Sequence, residues 1–559
     1  MSTSTLMNVS VQAMFAAQTQ LNVTGHNIAN AAVPGYSRQT ARLSTAPGQA
    51  TGAGYIGRGV SVDTVERAVN RFLTSQVAQT RSQSAADETR SDMLSQLEDS
   101  FPLGSDGLGQ AVTDLGNAFA DLATSPRDES MRVVVLGKAG ELASRLRATG
   151  SRIERLQEEV GTQIADEVDV VNGLTRQIAT LNQQVMRAAG GGHAPNDLLD
   201  QRDQLINELS QHIEVSRVDQ AGPGGSTVGM VSLFVAGGQA LVLGDANREL
   251  SASVDDDFPQ QVRLLIASDG AARELPAGMV GSGVIGGLLA FQADDLNAAR
   301  NQLGQLAAGY ADALNQQHAQ GTDMTGQAGQ PLLSVGAAQV APAAGNARDA
   351  SGQFATTVQI TRVAGHGAQL QASDYALQQD PADPASYQIT RLADGKVFAG
   401  LASGAEVDGF RFDVSAAPMA ASDRFVLRPV AGAAVDTAVA IGDPRRLAAA
   451  GAAAAGTGNA NALQLRALGT SKVIDGKTFT DAHARVLADL GVRVQRATSD
   501  ADASASVAKM TREQLGSETG VNLEEEAAKL IQYQQSYQAA AKVLTTAQRL
   551  FDTLLSVVQ

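Results

Sequence analysis

The sequence predicts a mainly α, multidomain protein with β insertions, in which the terminal helices pair as a coiled coil. Three observations carry that prediction. At the C-terminus Leu523, Ala527, Leu530, Gln534, Tyr537, Ala541, Leu544, Gln548, Phe551, Leu555 and Val558 alternate in steps of four and three. Met7, Ser10, Met14, Ala17, Leu21, Thr24 and Ile28 do the same at the N-terminus. Such spacing keeps one seam on one side of a helix and asks for a partner helix. Second, Ile153, Leu156, Val160, Ile164, Val168, Val171, Leu174, Ile178, Leu181 and Val185 form one apolar stripe, longer than most compact domains use. Third, the hydrophobic period changes to two in the middle of the chain, the signature of strands.

In chain order, residues 5–30 read as an amphipathic helix that stops at Asn27-Ile28-Ala29-Asn30, with Pro34-Gly35-Tyr36 setting a turn beyond it. Residues 36–62 carry Gly52, Gly54, Gly57 and Gly59 and read as extended or hairpin-like. A helix is expected from about Val65 to Leu97, and a second helical region over 107–190, interrupted at Ser125-Pro126-Arg127 and ended by Gly190-Gly191-Gly192. A shorter helix follows at 196–212. Residues 213–275 read as strands, with Val231, Leu233, Val235 and then Val262, Leu264, Ile266 alternating. Helix returns at 286–318. Residues 340–440 are β-like again, and the Ala/Gly-rich stretch 447–462 reads as a linker or weak helix. From about 480 helix runs to the end, with a break at Gly516–Gly520. The expected organisation is a terminal assembly domain of residues 1–62 and 516–559, a long helical-bundle middle domain of 63–339 and 450–515 with a small sheet at 213–275, and an outer antiparallel β domain at 340–449.

Composition narrows the function. Hydrophobic residues make up 43% of the 559, enough for ordinary cores, while aromatics are only 4% and Trp is absent. Small Ala and Gly side chains take their place, which suits close helix packing. A net charge of -16 without a basic patch speaks against nucleic-acid binding. The absence of Cys removes disulfides, thiolate catalysis and Cys-ligated metals. The start Met1-Ser2-Thr3-Ser4-Thr5 lacks a basic n-region, and no run of apolar residues is long enough to span a membrane. Neither a cleaved signal peptide nor membrane insertion is expected.

Candidate chemistry is sparse. Gly52-Ala53-Gly54-Tyr55-Ile56-Gly57 and Gly281-Ser282-Gly283-Val284-Ile285-Gly286 have dinucleotide-binding spacing, but no βαβ unit frames either, so both read as turns. Ser471 stands where a phosphate loop ending in Gly476-Lys477-Thr478 needs glycine, and Asp475-Gly476 reads as a hairpin turn. His26, His193, His212, His318, His366 and His483 show no metal-ligand spacing. No Gly-x-Ser-x-Gly elbow occurs. Glu524-Glu525-Glu526 could hold a metal, but carboxylates at a helix start are better explained by the helix dipole. No catalytic, cofactor or metal site is therefore expected. The heptad stripes remain: 523–558 would span about 54 Å of helix, at a terminus where little chain is left to cover it. Met7, Met14, Ala17, Leu21, Ile28, Leu523, Ala527, Leu530, Tyr537, Ala541, Leu544, Phe551, Leu555 and Val558 are the expected assembly interface. Gln534 and Gln548 on the seam would weaken pairing and fix its register.

The segment Leu21–Gln39, with Asn27-Ile28-Ala29-Asn30 followed by Pro34-Gly35-Tyr36, resembles the signature of the bacterial flagellar rod, hook and hook-associated proteins. Residues 520–541 look like the matching C-terminal end. Leu198-Leu199-Asp200-Gln201-Arg202-Asp203-Gln204-Leu205, Asn315–Asp323 and Asp423–Pro429 are similar to the hook-associated branch of that family that makes the first hook–filament junction. The resemblance implies terminal helices forming an inner tube, export unfolded by the flagellar type III route without cleavage, and a thin extracellular layer at the hook's distal end. The implied partners are like subunits, the hook protein below, the second junction protein above and an export chaperone. The nearest alternative is the hook subunit or another axial protein of the same group. An enzyme or adhesin carried by the β domain is the alternative of a different class.

Overall fold

The computed structural model describes residues 3–51, 54–190, 194–220, 229–235, 237–255, 261–268, 270–415, 419–452 and 457–558. Its α-helices, in chain order, are α1 (Thr3–Asn30), α2 (Arg71–Asp99), α3 (Leu108–Thr124), α4 (Glu129–Ala189), α5 (Asn196–His212), the single turn α6 (Ala277–Val280), α7 (Val284–Ala290), α8 (Asn297–Ala319), α9 (Ala460–Ala467), α10 (Phe479–Thr519) and α11 (Leu523–Val558). A π-helical turn, Phe291–Leu296, joins α7 to α8.

Local chemistry sets these boundaries. The Asn70 side chain accepts from the Leu73 N–H and starts α2. The helix therefore begins later than Val65, and Val60–Arg67 is instead a strand antiparallel to Gln39–Thr45. Asp128 caps α4 through the Ser130 N–H, directly after the Ser125–Arg127 interruption. Thr478 caps α10 through the Asp481 N–H. Gly516 stays within α10, and the break before α11 falls at Gly520–Asn522.

The body is organised on α4, a helix of 61 residues. Of its expected stripe, every residue is buried except Leu181, which is half-buried. Asn172 and Asn182 on the same face, and Gln292 from the π-helical turn, clamp two small sheets at 216–275. The Asn172 amide donates to the Leu250 carbonyl and accepts its N–H, both at 2.9 Å. Asn182 does the same for Val231, and Gln292 for Val262. Each amide pairs backbone groups that lack a neighbouring strand, Leu250 on an edge strand and Val231 and Val262 beyond the end of an adjacent strand, which satisfies groups that burial would otherwise penalise.

The outer block holds a five-stranded antiparallel sheet in the order Gln339–Pro342, Phe425–Arg428, Tyr375–Gln379, Tyr387–Arg391, Val397–Leu401, and a three-stranded sheet of Val358–Arg362, Phe410–Val414 and Glu406–Val407. Between them lies a separate core containing Tyr375, Leu377, Ile389, Phe410, Phe412 and Leu427. Val430, Ala433, Ile441, Leu447 and Ala449, in the segment expected to close the outer domain, pack instead in the core of the helical body. The Ala-rich run expected as a linker is buried at Ala448–Ala450. The Leu447 carbonyl accepts from Arg132, and the Ala448 N–H donates to His318 Nε2. Alanines pass through this core because they are small enough to let distant backbones meet. Among the described residues, neither core cluster contains anything before Met93 or after Ala497. The terminal helices are held by other means.

Candidate functional site

α1 and α11 pack along each other. They run antiparallel, because Asn27 near the end of α1 touches Glu526 near the start of α11. On α1 the inner face is Ser10, Ala17 and Thr24, all buried, with Met7, Met14, Leu21 and Ile28 half-buried beside them. On α11 the inner row is Glu526, Leu530, Tyr533, Tyr537, Ala540, Leu544 and Ala547, buried or half-buried in steps of four and three. Leu530, Tyr537 and Leu544 belong to the stripe expected from the sequence. Their partners in the seam lie on the opposite side of that column from the expected ones: Ala527 is exposed and Ala541 is half-buried. Leu523, at 54% exposure, and Phe551, at 42%, lie outside the intramolecular seam. The side chains of Leu555 and Val558 lie outside the described residues. α11 has 36 residues against 28 in α1, so it overhangs its partner by about 12 Å at 1.5 Å per residue. Leu550 and Phe551 lie near that overhang.

The seam is closed at one end by a polar clasp centred on Asn27, 1% exposed. Its Oδ1 accepts from the Tyr36 hydroxyl (2.8 Å) and the Gln39 N–H (2.9 Å). Its Nδ2 donates to the Gln39 carbonyl (2.8 Å) and to Glu526 Oε2 (2.9 Å). All four hydrogen-bonding positions of the amide are used. Glu526, equally buried, takes a second contact from Lys529 Nζ at 2.7 Å. A single side chain thus joins α1, the strand after it and α11.

The turn between Asn30 and Tyr36 delivers the tyrosine. The Val33 N–H donates to the Asn30 carbonyl and the Tyr36 N–H to that of Val33. Gly35 has φ +80, a left-handed conformation that favours glycine, and it packs closely on the Gln204 side chain. Asn30 Nδ2 donates back to the His26 carbonyl, and the His26 ring meets Tyr36 edge-on at 5.6 Å. Burial, then the charges of Asp197, Asp200 and Glu526, push the Tyr36 hydroxyl up to about 12. It stays protonated and donating across the ordinary pH range.

The clasp continues into the body. The Ser37 N–H donates to Asp200 (3.1 Å), and Arg67 pairs with both Asp200 and Asp203 at 2.7 Å. Arg217 also holds Asp203 at 2.7 Å. Burial would raise Asp203, but Arg217, Arg67 and Arg202 together hold it below the usual carboxylate range. The Arg38 N–H donates to the Thr519 carbonyl, and Asn70 Nδ2 to Glu518. These contacts fix where α11 leaves α10.

The other motif segments are internal struts. The Arg202 guanidinium donates to Asn182 and to the Gly229 carbonyl. Asn315 clamps Leu332 and Leu333. His318 lies between the Gln330 carbonyl and the Ala448 N–H, and burial lowers its basicity. Asp423 accepts from the Ala347 and Ala420 N–H groups.

Glu526 and Asp200 are the clasp residues hardest to see in the sequence. Glu526 sits in an acidic run that reads as a solvated helix start, and only its partner, 499 residues away, reveals it. In the second glycine fingerprint, Ser282 gives both its N–H and hydroxyl to Glu214, and Gly281 and Gly283 have positive φ, the geometry of a tight turn. Gly52 and Ala53 of the first fingerprint, and His193, lie outside the described residues. Asp475 and Gly476 both have positive φ between the paired Ile474 and Lys477, as a hairpin turn requires. Among the described residues no group of three or more His, Asp or Glu could hold a metal, and no helix is long and apolar enough to cross a membrane.

Known proteins share this layout. Residues 94–333 match the family model described as the flagellar hook-associated protein FlgK helical domain, and 346–429 match that of the flagellar hook-associated protein 1, D2-like domain. The ends match rod models: 7–36 the flagella basal body rod protein, and 517–557 the flagellar basal body rod FlgEFG protein C-terminal. Flagellar hook-associated protein 1 of Salmonella typhimurium is 34% identical, over 99% of this chain and 100% of that protein. Its counterpart in Escherichia coli is 32% identical over the same shares. The solved structure of the flagellar hook junction protein FlgK from Burkholderia pseudomallei superimposes with a TM-score of 0.71 at 25% identity, covering 79% of this chain and 99% of that one.

Proposed function

The chain belongs to the flagellar hook-associated protein 1 family and is a structural protein of the hook–filament junction; we propose that it forms a layer of like subunits there by packing its terminal helix pairs side by side. The layer would rest on the hook protein and carry the second junction protein. The chain would reach this place by the flagellar type III route, with an export chaperone and without a cleaved signal peptide. In this reading the terminal pair is the assembly domain, the helical body with the 430–449 return is the spacer, and the two-sheet block is the outer domain. The protein works by shape and contact rather than by catalysis.

One observation carries the proposal. The most deeply covered positions of the terminal seam, Ser10, Ala17, Thr24, Glu526, Ala540 and Ala547, are small or polar, its large apolar residues are only half-buried, and Phe15 (64% exposed), Ile531 (56%), Leu523, Leu550 and Phe551 stay exposed. Large apolar side chains left exposed along a helix pair are available for burial against neighbouring subunits. Leu523 and Phe551, from the expected interface, continue the heptad column of Leu530, Tyr537 and Leu544 beyond its covered part. Burying them against neighbours would contribute about 25 cal/mol per Å².

The test is a truncation. Removing residues 523–559 deletes the outward face of α11 and leaves both core clusters untouched. Incubated with isolated hooks, the truncated chain should keep its body fold by circular dichroism and fail to coat hook ends in electron micrographs. A truncated chain that still forms the layer refutes assembly through the terminal pair.

A further inference from the structure

A cavity of about 250 Å³ lies where the Pro34–Ser37 turn, α2, α5 and the end of α10 meet. Arg81 from α2 and Arg512 from α10 both border it. Arg81 is half-buried and donates to the side chain of Gln211 at 2.7 Å, a neutral partner. Neither arginine has an ion-pair partner among the described residues. The acidic group on the wall, Asp203, is already engaged by Arg67 and Arg217. Burial and then the charge of Arg512 pull Arg81 below its ordinary value, which Glu208 offsets only in part. The buried side-chain oxygen of Asn207, on the same wall, has no hydrogen-bond partner. Turned end for end, that amide would present its NH₂ to the cavity instead. The site therefore gathers two cations without an ion-pair partner among the described residues and one unused amide around an open space. That is the complement of a carboxylate.

The surplus carboxylates are close by along the chain. Gly520 lines the cavity, and α11 opens three residues later with Glu524 and Glu525 exposed. Glu525 reaches Arg38 only at 3.9 Å, and the Glu524 side chain has no partner among the described residues. Cavity and carboxylates thus sit at one level of the molecule, the joint of α10 and α11. Copies arranged around an axis meet through two different patches at matching height. We propose that this cavity is a carboxylate socket between copies, in which Arg81 and Arg512 of one subunit receive Glu524 of the next. The proposal rests on the layer reading above and adds the residues that set the contact between neighbours.

The test uses full-length chains on isolated hook ends: wild type, Arg512→Glu, Glu524→Arg, and the double reversal. Arg512 and Glu524 are exposed, so all four should show the same body unfolding midpoint. Each single reversal places like charges together and should lower layer occupancy roughly tenfold or more near 0.1 M salt. The double reversal should recover a large part of the loss, and both effects should shrink as salt rises. If the wild type forms no layer, the layer reading fails and takes the socket with it. If the wild type coats the hook but the single reversals coat it equally well, or the double is no better than the worse single, the socket is refuted and the layer reading stands.

Discussion

The helical body and the terminal helix pair are built from the same secondary structure and held together by opposite means. In the body, α4 buries Ile153, Val160, Ile164, Val171 and Ile178 essentially completely, against helices and sheets from the rest of the chain. In the terminal pair the fully covered positions are Ala16, Ala17, Ala540 and Ala547, with Ser10 and Thr24, and a buried polar clasp stands where the body would place leucine. An alanine removes little apolar area from water on burial, so this seam sets geometry and register more than it stabilises. The larger seam residues, among them Met14, Leu21, Leu530 and Leu544, are only half-buried, and Phe15, Ile531, Leu550 and Phe551 are exposed. The body closes its own cores, and in the proposed reading the terminal pair is half of an interface.

Several substitutions would break or sharpen that contrast. The largest effect belongs to the body. Arg132 is fully buried, and its guanidinium donates to the carbonyls of Pro126, Pro444 and Leu447. Arg132→Ala strands these carbonyls and opens a void, at a cost of about 3–5 kcal/mol by urea unfolding. A loss below about 1 kcal/mol would show that the 444–447 return is not locked by this residue. Ile164→Ala should cost about 2–4 kcal/mol in the same measurement, since α4 is rigidly enclosed there.

The clasp comes next. Asn27→Leu leaves the Glu526 carboxylate without its buried donor and strands both backbone groups of Gln39, worth about 1–3 kcal/mol locally. The expected readout is faster proteolysis of α1 and α11 with the body's unfolding midpoint unmoved, because no core cluster reaches the clasp. A matching drop in the body's midpoint would mean that the two regions are one cooperative unit.

Tyr36 gives the clasp a pH signature. Its folded value, about 12, lies above the unfolded 10.0, so the protonated form is favoured by folding. The stabilisation is fully present below pH 10 and is lost as pH rises through about 12. Amide exchange in α11 should accelerate across that window, and Tyr36→Phe should flatten the change. The smallest effect on stability is expected at the outward face. Ile531→Ser should leave monomer stability within about 0.5 kcal/mol, yet reduce coating of hook ends. Loss of monomer stability instead would place Ile531 in an intramolecular core.

Much of this architecture can be read in advance, for physical reasons. The stripe on α4 is legible because an apolar period held over so many turns requires one long helix with a single buried face. The strands at 358–362 and 410–414 are legible because aromatic and β-branched residues alternate there. The interior rows of α1 are legible for the same reason as α4. On α11 the apolar surface is wider than one seam, so periodicity finds the shared column of Leu530, Tyr537 and Leu544 without saying which flank turns inward. Ala448–Ala450 looks like a linker because alanine and glycine carry no period, and the groups that bury it, Arg132 and His318, are far away in sequence. Glu526 is hidden for the same reason: a carboxylate in a helix's first turn looks solvated until the amide that claims it is placed. The start of α2 escapes periodicity because Val65 continues an apolar pattern, whereas Asn70 decides where the helix begins.

The central claim is that the terminal pair is completed by neighbours while the body is complete alone. Amide hydrogen exchange followed by mass spectrometry, on the free chain and on the chain bound to hook ends, tests it most directly. The body helices α4 and α8 should be equally protected in both states. Helices α1 and α11 should exchange rapidly in the free chain and become protected on the hook. Protection of α1 and α11 in the free chain equal to that of α4, unchanged on binding, would contradict the account.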